Sequence, residues 1–106
     1  MFVLLLGLSV FVIIGIFSNN CNADIAKGKK LFTKKLKNVC GITGQAFAHK
    51  HTQAQWKKIN EKGKMKSEIQ KICPNAKDSA VKDKYLQHYF DFLHEYASDS
   101  GNIPSC

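Results

Sequence analysis

Cys40, Cys73, Cys106, His49 and His51 are among the side chains of this sequence whose types can do more than pack. Thiolate sulfur and imidazole nitrogen are both zinc ligands, and Cys40, His49, His51 and Cys73 would supply four of them. Structural zinc sites draw on close pairs of the C-x-x-C kind, however, and no such pair is present. Cysteine and histidine also form nucleophile–base pairs, but no third orienting residue stands in a recognisable setting, so a hydrolase or other enzyme is not supported. The remaining chemistry is the disulfide. The sequence has four cysteines; with Cys21 lost in the N-terminal segment discussed next, an oxidising compartment would join two of Cys40, Cys73 and Cys106, in any of three pairings. The third sulfur would stay free, bridge two chains or touch a cofactor. A bond between Cys40 and Cys73 would contribute about 3–4 kcal/mol in the chain-entropy account.

The N-terminus implies such a compartment. Residues 2 to 17, FVLLLGLSVFVIIGIF, carry no charge and no strongly polar group. A spanning helix needs about 20 apolar residues, so the run is short for an anchor. Cys21 and Ala23 then place small side chains in an A-x-A-like cleavage pattern, between Ala23 and Asp24. Residues 1–23 therefore read as a secretory signal peptide. No Lys or Arg precedes the run, which keeps two alternatives, a true start lying upstream or an uncleaved anchor. The processed chain, 24–106, is expected to be one periplasmic or secreted domain with no membrane contact after cleavage. At that size a hydrophobic core alone is marginal, and a staple or a cofactor helps.

All 16 basic residues are lysines, and the net charge is +8. Most of the lysines fall between Lys27 and Lys64, whereas residues 85 to 106 bring only the charges of Asp91, Glu95 and Asp99. The absence of arginine forks, which match phosphates and guanine edges, argues against specific nucleic-acid recognition. A lysine-rich face that steers an acidic protein partner suits an exported domain better.

The elements that must position these groups read as helices throughout. Residues 24 to 38 bring Ile25, Phe32 and Leu36 near one face, with Gly28 and Leu31 beside them. A loop is expected from about Val39 to His51. Thr52-Gln53-Ala54-Gln55 fits a capping box, opening a helix that turns Trp56 and Ile59 inward and ends near Gly63. A short helix over Met65–Ile72 would bury Met65, Ile69 and Ile72 and stop before Pro74. The last helix, from near Asp78 or Ser79, sets Val81, Tyr85, Tyr89, Phe92, Leu93 and Tyr96 on one stripe. His88 and His94 lie on other faces of it, at the surface or the boundary. No stretch keeps a strand period, so the expected class is all-α, a small bundle of about four helices.

The run Asp24-Ile25-Ala26-Lys27-Gly28-Lys29-Lys30-Leu31-Phe32 resembles the first helix of class I cytochromes c. The aromatic-rich last helix, from Tyr85-Leu86, is similar to that family's closing helix. The resemblance implies a fold in which the first and last helices cross, with Gly28 letting the backbones approach and Phe32 filling the crossing. It also implies a haem. The family attaches haem through C-x-x-C-H shortly after the first helix, but this chain offers only Cys40, with Thr43 and Gly44 where the second cysteine and the histidine would stand. Within the resemblance Cys40 would form a single thioether, His49 or His51 would ligate the iron, and Met65 would be the second axial candidate. Met65 falls early for that role and also reads as a core residue.

Two functions follow. One is an exported cytochrome c-like electron carrier with atypical haem attachment, its lysines orienting it toward an acidic redox partner protein. The other is a haem-free binding or accessory module on the same scaffold, stapled by a disulfide, with Trp56, Phe47 and the last helix's aromatics filling the haem volume. An apolar cavity lined by Cys40 and a histidine would favour the first. A filled core with two bonded cysteines would favour the second.

Overall fold

The computed structural model describes residues 23–103. The apolar run 2–17, Cys21 and Cys106 lie outside the described residues. Helix α1 (Ala23–Lys35) is followed by three short helices, α2 (Lys37–Cys40), α3 (Gly44–Ala48) and α4 (Gln53–Glu61). Helix α5 (Met65–Ile72), a 3-10 turn (Asp78–Ala80) and helix α6 (Asp83–Glu95) complete the described chain. The class is all-α, as expected, and the described residues contain no strand.

Helices α1 and α6 make the most extensive pairing of the fold. Their approach is closest at Gly28, where an added Cβ would lie 2.2 Å from the His88 carbonyl oxygen and 2.8 Å from Phe92 Cβ. One turn further along, Phe32 packs its ring against Phe92 at 5.8 Å and edge-on against Phe47 at 5.2 Å. A glycine thus removes the one side chain that would hold the backbones apart, and an aromatic fills the space beside it.

Helix α4 opens on the expected capping box, with the Thr52 hydroxyl accepting from the Gln55 amide and the Gln55 side chain accepting from the Thr52 amide. Its start is tied to the last turn of α6 and to the chain beyond it. The Gln53 amide donates to Asp99 Oδ1 at 2.8 Å, the Gln53 side chain donates to the His94 carbonyl at 3.1 Å, and the Ser98 amide donates to the His51 carbonyl at 3.0 Å. Trp56 is fully buried and spends its one polar group inside, Nε1–H donating to the Ala48 carbonyl at 2.8 Å. Among the three pairings open in sequence, Cys40 bonds Cys73, with their Cα atoms 5.3 Å apart. The bond joins the end of α2 to the residue that closes α5.

Three details differ from the sequence expectations. The segment 39–51 is not all loop: the Thr43 hydroxyl accepts from the Ala46 amide at 3.1 Å and starts α3, which carries Phe47 and Ala48 into the core. The last helix begins at Asp83 rather than near Asp78. In a continuous helix the Ala80 carbonyl would accept from Lys84; here it accepts from the Tyr89 hydroxyl at 2.6 Å, and Lys82 is extended between the 3-10 turn and α6. Ile59 and Ile72 pack at the margin of the core rather than inside it.

Candidate functional site

The sequence nominated Cys40, His49, His51 and Met65 as cofactor ligands, and the fold gives each a separate environment. Cys40 closes α2 with its sulfur bonded to Cys73, so no thiol is left there for a thioether. His49 caps the C-terminus of α3 and is exposed. His51 lies edge-on to Trp56 at 4.7 Å, and its Nε2 is 2.7 Å from Glu68 Oε2, a carboxylate contact on α5. Met65 is a core residue, 2% exposed.

The positions that would complete C-x-x-C-H after Cys40 have structural duties. Thr43 caps α3. Gly44 lies under the tip of the Phe92 ring, where an added Cβ would sit 2.6 Å from Phe92 Cζ. A histidine at position 44 would force the Phe92 ring to shift, and that ring packs against Phe32 at the α1–α6 crossing.

Haem needs a flat slot in the protein and at least one free axial donor. The interior is instead filled by Trp56, Tyr89, Phe32, Phe47, Phe92 and Met65, each 2% exposed or less. The candidate donors are divided among a disulfide, an exposed cap, a ring in contact with a carboxylate and the core. These residues do not fit a haem, and their arrangement supports no electron-transfer step through one. The zinc grouping of Cys40, His49, His51 and Cys73 fails on the same geometry. Both sulfurs are consumed by the disulfide, and among the described residues no group of three or more His, Cys, Asp or Glu is placed to hold a metal ion.

What the fold does assemble is charge. Helix α1 carries Lys27, Lys29, Lys30, Lys34 and Lys35, and the crossing turns its Ile25, Gly28 and Phe32 inward. Burying one stripe of a helix forces its other residues outward, so the lysines become a surface. Helix α6 adds Lys84 beside α1. The Lys35 and Lys84 ammonium groups lie 5.7 and 5.5 Å from the centroid of the half-buried Tyr85 ring, within cation–π range. Beyond α1, Lys77 and Lys82 of the connection to α6 face Lys34 and Lys35 across a shallow groove. Composition signalled the lysine face. The groove was not legible, because its walls are separated in sequence and are brought together by the Cys40–Cys73 bond and the α1–α6 pairing.

Compared with protein-family models, curated proteins and solved structures, the chain gives no match.

Proposed function

We propose that the chain is an exported, haem-free binding module, built on a cytochrome c-like helical scaffold and stapled by Cys40–Cys73, that engages an acidic protein partner through its lysine face. The observation that carries this reading is the filled interior together with the bonded sulfur of Cys40: the volume and the anchor that a haem would use are both taken. The glycine-mediated crossing of α1 and α6 supports the scaffold part of the reading, since it is the feature the family likeness implied. Lysine without arginine supports a carboxylate-bearing protein as partner over nucleic acid, because ammonium groups lack the planar fork that reads phosphates and guanine.

The test is the visible absorption spectrum of the protein exported from a host with haem-maturation machinery, oxidised and reduced. The reading expects a colourless protein. A Soret band that shifts on reduction and survives acid–acetone extraction would overturn it, since covalent haem would require Cys40 to be free.

A further inference from the structure

The groove between the end of α1, α2 and the segment before α6 combines four features in one place. Lys34, Lys35, Lys77 and Lys82 line it, with Asn75 and Val39, and no carboxylate lines it. Asp78, adjacent in sequence, is engaged elsewhere: its Oδ1 accepts from Gln70 Nε2 at 2.9 Å and lies 3.6 Å from Lys66 Nζ. Val39 is 45% exposed, one of two large hydrophobic side chains so exposed among the described residues. The two walls are fixed to each other by the Cys40–Cys73 bond and by Asn75 Nδ2 donating to the Val39 carbonyl at 3.5 Å.

Among the described residues none of these four lysines makes a salt bridge, and like charges gathered without counter-charge hold a positive potential that a neutral surface would not. Such a site attracts carboxylates, but long-range attraction alone gives steering rather than a seated complex. The exposed Val39 supplies the missing anchor, a small apolar contact that loses water when covered. The covalent link between the walls means that the site needs little ordering on binding, which removes part of the entropic penalty of association.

We propose that this groove docks a short acidic segment of the partner protein, its carboxylates meeting Lys34, Lys35, Lys77 and Lys82 and one apolar side chain covering Val39. The inference rests on the binding-module reading and names where on the lysine face the partner sits.

The test uses the oxidised protein purified after export and a fluorescein-labelled peptide of six glutamates flanking one central leucine, followed by fluorescence anisotropy. Two variants probe the groove, Lys34→Glu with Lys77→Glu and, separately, Val39→Asp. Lys57→Glu with Lys58→Glu, exposed on α4, makes the same charge change elsewhere. All altered side chains are exposed, and circular dichroism checks that each variant is folded. The expected result is binding that weakens as salt shortens the screening length from about 30 Å at 0.01 M to about 10 Å at 0.1 M. Affinity should fall by about tenfold or more in the double groove variant, the sum of several exposed pairs, and should fall clearly in Val39→Asp while the α4 variant keeps most of it. Equal weakening in the groove and α4 variants would overturn the docking site while leaving an acidic partner in place. No binding of the peptide to the unaltered protein at low salt would overturn the site and the acidic-partner reading together. Groove-dependent binding to vesicles containing phosphatidylserine, with the peptide ignored, would overturn it in favour of a membrane surface.

Discussion

Gly28→Ala adds one methyl group at the closest point of the fold, 2.2 Å from the His88 carbonyl oxygen and 2.8 Å from Phe92 Cβ. Ordinary carbon contacts lie at about 3.5 Å, so α1 and α6 must separate by about 1 Å locally. Neither obstacle is the far end of a flexible side chain: one is backbone, and the other is the first side-chain atom of a fully buried phenylalanine. Separation also loosens Phe32 against Phe92. Overpacking of this kind costs about 3 kcal/mol at the upper end of its usual range. Alanine's better helix propensity offsets about 1 kcal/mol. The net loss is about 2 kcal/mol, a fall in Tm of about 8–16 °C for a domain of this size. Thermal melting followed by far-ultraviolet circular dichroism measures it. Ala54→Gly, at an exposed position of α4, calibrates the propensity contribution where nothing is packed. A Gly28→Ala protein that melts at or above the wild-type temperature would refute the crossing, because propensity alone would then be acting.

Replacing Cys40 and Cys73 together by serine opens a loop whose ends are 33 residues apart. The chain-entropy account puts the loss at about 4 kcal/mol, which melting should show as a fall of about 15 °C or more, and a change of only a few degrees would mean that the bond is no staple. Trp56→Phe takes the indole donor from the buried Ala48 carbonyl, leaving it only the long 3.4 Å bond from the His51 amide, and opens a gap beside it; denaturant titration should show a loss of about 1–3 kcal/mol, and a neutral outcome would mean that the indole hydrogen bond does not hold α3 to α4. Burial, with a smaller contribution from Tyr85, pushes the Tyr89 phenol above its ordinary 10.0. The unfolded chain therefore releases this proton first as pH rises, so stability present in full below about pH 10 is lost as pH climbs toward the folded-state pKa. Tyrosinate absorbance and circular dichroism recorded together should show the last tyrosine ionising as helix is lost; intact helix after all three have ionised would contradict it.

The helical class, the capping box at Thr52 and the span of α5 were legible because each rests on local pattern. So was the inward stripe of the last helix: Tyr89, Phe92 and Leu93 are buried on it, Val81 and Tyr96 are buried just outside its two ends, and Tyr85 is half-buried among lysines. The start of that helix was not legible, because the hydroxyl that captures the Ala80 carbonyl comes from Tyr89, nine residues on. Helix α3 was hidden by the glycines around it; Gly44 reads locally as a loop residue, yet its duty is to admit the Phe92 ring from the far end of the chain. His51 likewise reads as a ligand in isolation, and only the fold brings Glu68 to its Nε2. Pairwise partners distant in sequence are what a single sequence withholds, and they decided the fate of Cys40 and His51, whereas His49 caps α3 locally.

The central claim is that the interior is closed and already full. Trp56, the only tryptophan of the chain, lies fully buried within it and reports on anything that enters. The decisive measurement is titration of haem into the purified, oxidised protein, following Trp56 fluorescence and the Soret region together. A full interior predicts tryptophan emission unchanged beyond the absorbance correction and a spectrum that stays that of free haem. Saturable quenching of Trp56 at one equivalent, with a sharpened Soret band, would contradict it.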